Sequence, residues 1–228
     1  MDYKAWTQRA RTFHEAMRRL PGEIDVTIEI APLLAKPELH GIRAKWKRHL
    51  PAELIRFWTE GSAHLNGSYV WTPPEEEVGA LKEVFEHNCY IYGGPRFIAA
   101  AETDPEPLDM SWFDPEDYPG EEEVWQANMD LWSRAILLLG MGNGDYLGLD
   151  AEAPGYDPDD PPVVYLVHDE PESGQVCPRF TEFLPVWEEL SYIGPESWLL
   201  WYWFDESTKS IDPGMHHTDK LRKLLTPR

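Results

Sequence analysis

Residues 142–150 read GNGDYLGLD, and residues 163–169 read VVYLVHD. With the apolar run ILLL at 136–139 ahead of them, they make three short strand-like segments in succession: 136–139, 145–150 and 163–168. Glycines at 142 and 144 around Asn143 suit a tight turn with positive φ, the geometry that joins two antiparallel strands. Side chains alternate along a strand, so that turn places Leu147 and Leu149 together on one face, which must be the core. The same glycines invite a dinucleotide-loop reading. It fails because position 147 is Leu where a third Gly belongs, and because a strand rather than a helix follows.

Upstream, Trp6, Ala10, Phe13, Met17 and Leu20 recur every three or four residues, the period of an amphipathic helix over 2–20 that ends at Pro21-Gly22. EIDVTIEI (23–30) then alternates apolar Ile24, Val26, Ile28 and Ile30 with polar residues, a half-buried strand. Pro37 opens a second helix through His49 and Pro51 a third, AELIRFWTEG, with Leu54, Phe57 and Trp58 on one face. Tyr69, Val70 and Trp71 form a short strand stopped by Pro73-Pro74, and 84–92 reads as another, closed by Gly93-Gly94-Pro95.

Downstream, Phe180, Phe183, Leu184, Trp187 and Leu190 sit at helical spacing, with Pro185 as a kink or boundary. Gly194-Pro195-Glu196 starts a fresh helix, and the SWLLWYWF that follows is too apolar all round to face water, so Trp198, Trp201 and Trp203 are assigned to the core. Helices, then strands, then helices is the order of an α+β fold: one domain over 1–228, its mostly antiparallel sheet flanked by helices, with 1–36 as an N-terminal helix and lead-in.

Charge divides the chain. Twenty Lys and Arg stand against 41 Asp and Glu, a net charge of −21, and residues 61–215 alone carry 32 acidic and 5 basic side chains, net −27. Such a field repels phosphate backbones and anionic lipid and steers basic proteins inward, which argues against nucleic acid as a partner; an acidic surface also serves solubility alone. Two cysteines make no disulfide framework, and no run approaches a membrane span, so a soluble cytoplasmic protein is expected. The acid concentrates in two proline-rich loops, 102–123 and 153–162. Trp112 and Phe113, with Asp114, Glu116 and Asp117 beside them, form an aromatic anchor ringed by carboxylates, and Asp157, Asp159 and Asp160 form a second acidic group. These eight are the candidate partner-binding residues.

Catalytic motifs are missing: no G-x-x-x-x-G-K-[ST], and no G-x-S-x-G around any serine. His168-Asp169 could orient a general base, and the three Asp of 157–160 could chelate a hard cation. They lack the Gly and distal Glu of a calcium loop, while the adjacent His216 and His217 cannot easily share one zinc. No catalytic residue, metal or cofactor is assigned.

Three stretches, taken in order, resemble the SUKH superfamily, which includes fungal cell-wall assembly regulators and many bacterial immunity proteins against secreted toxins. They are LPAELIRFWTEGSAHLNG (50–67), similar to the family's Leu-Pro opening, short helix and downstream Gly; GNGDYLGLD with VVYLVHD, similar to its Gly-Asp turn and paired central strands; and Phe180-Thr-Glu-Phe183-Leu184, similar to its Phe-x-x-Phe-Leu helix. The resemblance implies an α+β fold, no enzymatic activity and a role in binding another protein, and it carries over no catalytic residue. The expected function is that of a cytoplasmic immunity protein bound to a cognate, basic toxin. A regulatory or scaffold module of the same fold, and an enzyme with an unrecognised site, are the alternatives. Thermal melts with ATP, NAD, magnesium, calcium or zinc are expected to show no saturable stabilisation, and a midpoint rising with the logarithm of any ligand's concentration would overturn this.

Overall fold

The computed structural model describes residues 1–104, 120–169 and 173–226. Helix α1 (Tyr3–Met17) is capped by Asp2, whose carboxylate accepts from the Ala5 N–H at 2.9 Å, and its buried face carries Trp6, Ala10, His14 and Met17. Strand β1 (Glu23–Ile30) follows, then α2 (Lys36–Lys45) and α3 (Ala52–Arg56), which runs into one π-helical turn, Phe57–Gly61. Strand β2 (Leu65–Thr72), helix α4 (Glu75–Lys82) and strand β3 (Ile91–Gly93) complete the first half. The second half runs α5 (Glu122–Arg134), β4 (Ile136–Gly140), β5 (Tyr146–Leu149), β6 (Val163–Leu166), β7 (Gly174–Cys177) and α6 (Phe180–Glu189). Helix α7 (Ser197–Leu200) continues as the 3-10 turn Trp201–Trp203, and the short strands β8 (Phe204–Asp205) and β9 (Ser210–Ile211) lead to α8 (Thr218–Leu224).

β1-β2-β3 and β4-β5-β6-β7 are antiparallel throughout. Residues 95–98 join them, because Asn66 pairs with Arg96 and Phe97 with Leu139, and the Ile98 N–H donates to the Leu138 carbonyl at 2.9 Å. Gly94 makes the bend between β3 and this joint: its φ is 125°, and a Cβ there would stand 2.4 Å from the Gly67 carbonyl oxygen. The predicted turn is present, with Gly144 at φ 99° between β4 and β5. Leu147 and Leu149 are fully buried, as alternation requires.

Helices lie on both faces of β6, which explains why VVYL is continuously apolar rather than alternating. Val163 and Tyr165 enter the main core with α1 and α6, while Val164 and Leu166 pack under Leu131 and Trp132 of α5 and Ala135 just after it. Burying each such side chain contributes about 1.5–3 kcal/mol. Several buried indoles find an acceptor for their N–H, as burial of a tryptophan demands. Trp6 donates to the Leu184 carbonyl at 3.0 Å, Trp187 to Ile193 at 2.8 Å, and Trp203 to the Thr218 hydroxyl at 2.7 Å.

Four expectations change. The strand expected over 84–92 is reduced to Ile91–Gly93. Glu75, Glu76 and Glu77 follow Pro74 and favour the positive end of α4, and Val84 and Phe85 close that helix, the Phe85 N–H donating to the Leu81 carbonyl at 2.9 Å. α2 stops at Lys45 rather than His49, because Trp46 turns into the core and the Arg48 guanidinium crosses to the end of α5. There it donates to the Ser133 and Arg134 carbonyls at 3.1 and 3.0 Å. The helix expected from Pro195 begins at Ser197. SWLLWYWF is not wholly buried: Trp203 is, but Trp198 and Trp201 are 52% and 37% exposed.

His14 is sealed in the core, its Nδ1 2.8 Å from the Ala10 carbonyl and its Nε2 without a partner, among the rings of Phe13, Tyr69 and Tyr192. Burial lowers its pKa below the ordinary 6.5. The unfolded chain therefore binds a proton at a pH where the folded one does not, so this contribution is complete above 6.5 and shrinks as pH falls toward the folded value. Urea melts at about pH 7.5 and 5.5 should show lower stability at the acid value, and His14→Leu should flatten that dependence; an unchanged slope in the variant would rule His14 out as its source.

Candidate partner-binding surface

Trp112, Phe113, Asp114, Glu116 and Asp117 lie outside the described residues. Asp157, Asp159 and Asp160 are described, and the fold brings them together at two helix ends. α3 starts at Pro51 without a side-chain cap of its own. Asp159 Oδ1 accepts from the Ala52 N–H at 3.2 Å and lies 3.0 Å from His49 Nε2, while the Asp159 carbonyl accepts from the Glu53 N–H at 2.9 Å. α6 likewise starts at Arg179 with no side-chain cap. Asp160 Oδ1 accepts from the Thr181 N–H at 3.0 Å, and the Thr181 hydroxyl donates to Oδ2. Asp157 accepts from the Asp159 N–H at 2.9 Å. The loop thus supplies both helices with negative charge where their unpaired N–H groups point. Asp159 and Asp160 act first as caps supplied from a distance, and Asp157 braces the loop between them.

Asp145 is the other acid with a defined task. Buried at the start of the β5 hairpin arm, it accepts from Asn143 Nδ2 at 2.6 Å, the Tyr165 hydroxyl at 3.0 Å and the His168 N–H at 3.1 Å, and His168 Nδ1 stands at 2.9 Å. Burial pushes its carboxyl upward, but the bonds from His168, Asn143 and Tyr165 outweigh that and hold it below the ordinary 3.8. The sequence pairs His168 with Asp169, whereas in space Asp145 is nearer, 2.9 Å against 3.7 Å. Asp145, His168 and Asp169 offer ligand atoms within 4.8 Å of one another. A cation there would compete with every donor now on Asp145, and it is Asp145 with Asn143, Tyr165 and His168, without Asp169, that makes the hydrogen-bond hub. At the far end of β5, buried Asp150 takes the Arg134 guanidinium at 2.9–3.0 Å.

What the sequence reading missed is an exposed aromatic ridge. Tyr90 and Tyr92 stack at 6.2 Å, and Trp201 stacks on Phe204 at 4.8 Å with an interplanar angle of 12°. Trp198 and Trp201 stand three residues apart on one face of a helical segment, while Trp203 falls on the other. That spacing was the available signal, hidden by the apolar composition of its neighbours. A groove of about 500 Å³ adjoins Trp201 and Phe204, bordered by Gln175, Glu206 and Lys209.

The model of the SMI1/KNR4 family (SUKH-1) matches residues 35–185, about two thirds of the chain. Neither the curated proteins nor the solved structures give a match. The matched span runs from α2 into α6 and holds the Asp145 hub and the Asp159 and Asp160 caps; α1, β1 and the ridge residues Trp198 and Trp201 lie outside it.

Asp160→Ala should lower stability by about 1 kcal/mol in urea titrations, the usual worth of a helix cap. Asp145→Ala, which takes the acceptor from the buried Tyr165 hydroxyl and the His168 N–H and empties a buried site, should cost about 2–4 kcal/mol. A loss below about 0.5 kcal/mol for Asp145→Ala would contradict the hub.

Proposed function

Because the chain belongs to the SMI1/KNR4 family (SUKH-1), we propose that it is a non-enzymatic protein-binding domain that acts as an immunity protein, docking on a basic toxin and blocking it. The observation that carries this is the union of a net charge of −27 over residues 61–215 with exposed tryptophans at Trp198 and Trp201. Acid alone serves solubility, and large rings alone expose apolar area; together they suit a partner that presents cations around an apolar centre. Phosphate-bearing partners are disfavoured by the same field.

The hub and caps give carboxylates work that needs no chemistry, which favours a binder over a hydrolase. Tyr3 and Trp6 of α1 and Leu221 of α8 share one core with the sheet, which supports treating the whole chain as one binding unit. Cys89 and Cys177 are both free thiols, which suits a reducing compartment such as the cytoplasm. No helix among the described residues is long and apolar enough to cross a membrane.

Coexpression with a basic toxin encoded beside its gene should restore growth, and the purified pair should associate with a rate constant that falls about tenfold or more as salt rises from roughly 0.05 to 0.5 M. Association insensitive to salt would reduce the acidic surface to a solubility device. Failure to protect against every neighbouring toxin would remove the immunity role.

A further inference from the structure

Resting on the protein-binding reading above, we propose that the basic partner docks on the open face of the β1-β2-β3 part of the sheet, its lysine and arginine side chains lying between the carboxylates of β1 and the rings of Tyr92 and Trp198. Side chains directly opposite in an antiparallel pair share a face, so the register defines this surface. Asp25 stands opposite Val70, which stands opposite Tyr92. Thr27 stands opposite Ser68, their hydroxyl oxygens 2.7 Å apart. Glu29 stands opposite Asn66, which pairs with Arg96. Glu23, Asp25, Thr27 and Glu29 are all exposed, while the intervening Ile24, Val26 and Ile28 pack against the core on the other face.

A solvated sheet face needs only polar side chains. This one instead sets Val70, 44% exposed, beside half-buried Tyr92, with Tyr90 and Trp198, 49% and 52% exposed, continuing the apolar row beyond the sheet. Glu23, Asp25 and Glu29 have no salt-bridge partner among the described residues, and Arg96 is drawn toward Glu196, with 3.9 Å between Nη2 and Oε1. Glu196 is 6% exposed, yet its Oε2 has no hydrogen-bond partner, and neither has Arg96 Nε. A carboxylate row, an aromatic row and a buried carboxylate at the end of one rung make a surface complementary to cations. A ring face attracts lysine and arginine, and the β1 carboxylates can pair with their charge.

A second copy of the chain is a poor occupant, because it would bring its own carboxylate row against this one, and exposed charge also discourages the edge of β1 from pairing with another strand. β1 and Trp198 lie outside the family-matched residues 35–185 while Val70, Tyr90 and Tyr92 lie within them, so the surface joins matched and unmatched parts of the chain.

The test uses the full chain, 15N-labelled, titrated with hexa-arginine amide at low salt. The expected result is that the Trp198 indole N–H and the amides of 23–30, 65–72 and 91–93 shift along one saturating curve. Trp198→Ala, and separately Asp25→Asn with Glu29→Gln, should each weaken binding about fivefold or more while leaving the rest of the spectrum native. Shifts confined to 121–123 and 152–160 would overturn the proposed face while keeping the basic-partner reading. No shift anywhere would overturn both. Sedimentation showing a dimer that Val70→Lys dissociates would assign the face to a second copy and overturn the proposal.

Discussion

Asp145 takes its hydrogen bonds from three directions: from Asn143 in the turn before it, from Tyr165 on the neighbouring strand, and from the backbone of His168 just beyond that strand. A buried carboxylate is tolerated only when its lone pairs are filled, so the turn, β5 and β6 must take up their positions together. The consequence reaches further, because the Tyr165 hydroxyl that donates to Asp145 also accepts from the Ser197 N–H at 2.9 Å. That bond places the first residue of α7, and with it the direction in which Trp198 and Trp201 leave the core. An interior charge therefore sets where the exposed aromatic ridge stands.

Acid in this protein does two kinds of work. Asp145 and Asp150 are buried at the two ends of β5, and Asp159 and Asp160 cap α3 and α6, so these carboxylates hold the fold together through hydrogen bonds and helix dipoles. Glu23, Asp25 and Glu29 face water along one side of β1. All of them contribute to the long-range field that steers a cationic partner, but only carboxylates without internal donors are free to make short contacts with one. Net charge is blind to this division.

The aromatic residues divide in the same way. Trp6, Trp187 and Trp203 are fully buried with their N–H groups bonded, as core packing requires. Trp198 stands half exposed at the surface, and Trp201 lies flat on Phe204. Two rings that shield each other in a stack expose less apolar area than two separate ones, which lets such a ridge persist on a soluble surface.

Local pattern alone determined much of this protein. The three- and four-residue spacing of α1, the alternation of β1, the Gly-Asn-Gly turn, and the burial of Leu147 and Leu149 all follow from periods that neighbouring residues impose on one another. The ordered motifs at 50–67, 142–169 and 180–184 were enough to identify the family, since they encode a turn, a strand pair and a helix whose geometry is local. Other features depended on contacts between residues far apart in the chain. The end of α2 at Lys45 is set by the Arg48 guanidinium reaching across the fold to the Ser133 and Arg134 carbonyls. Asp159 and Asp160 looked like free charge until α3 and α6 arrived beside them. Trp198 and Trp201 looked like core until the sheet edge left their side of α7 uncovered. Periodicity says which residues share a face, but what covers that face, and which carboxylate meets which N–H, is decided only when distant segments pack.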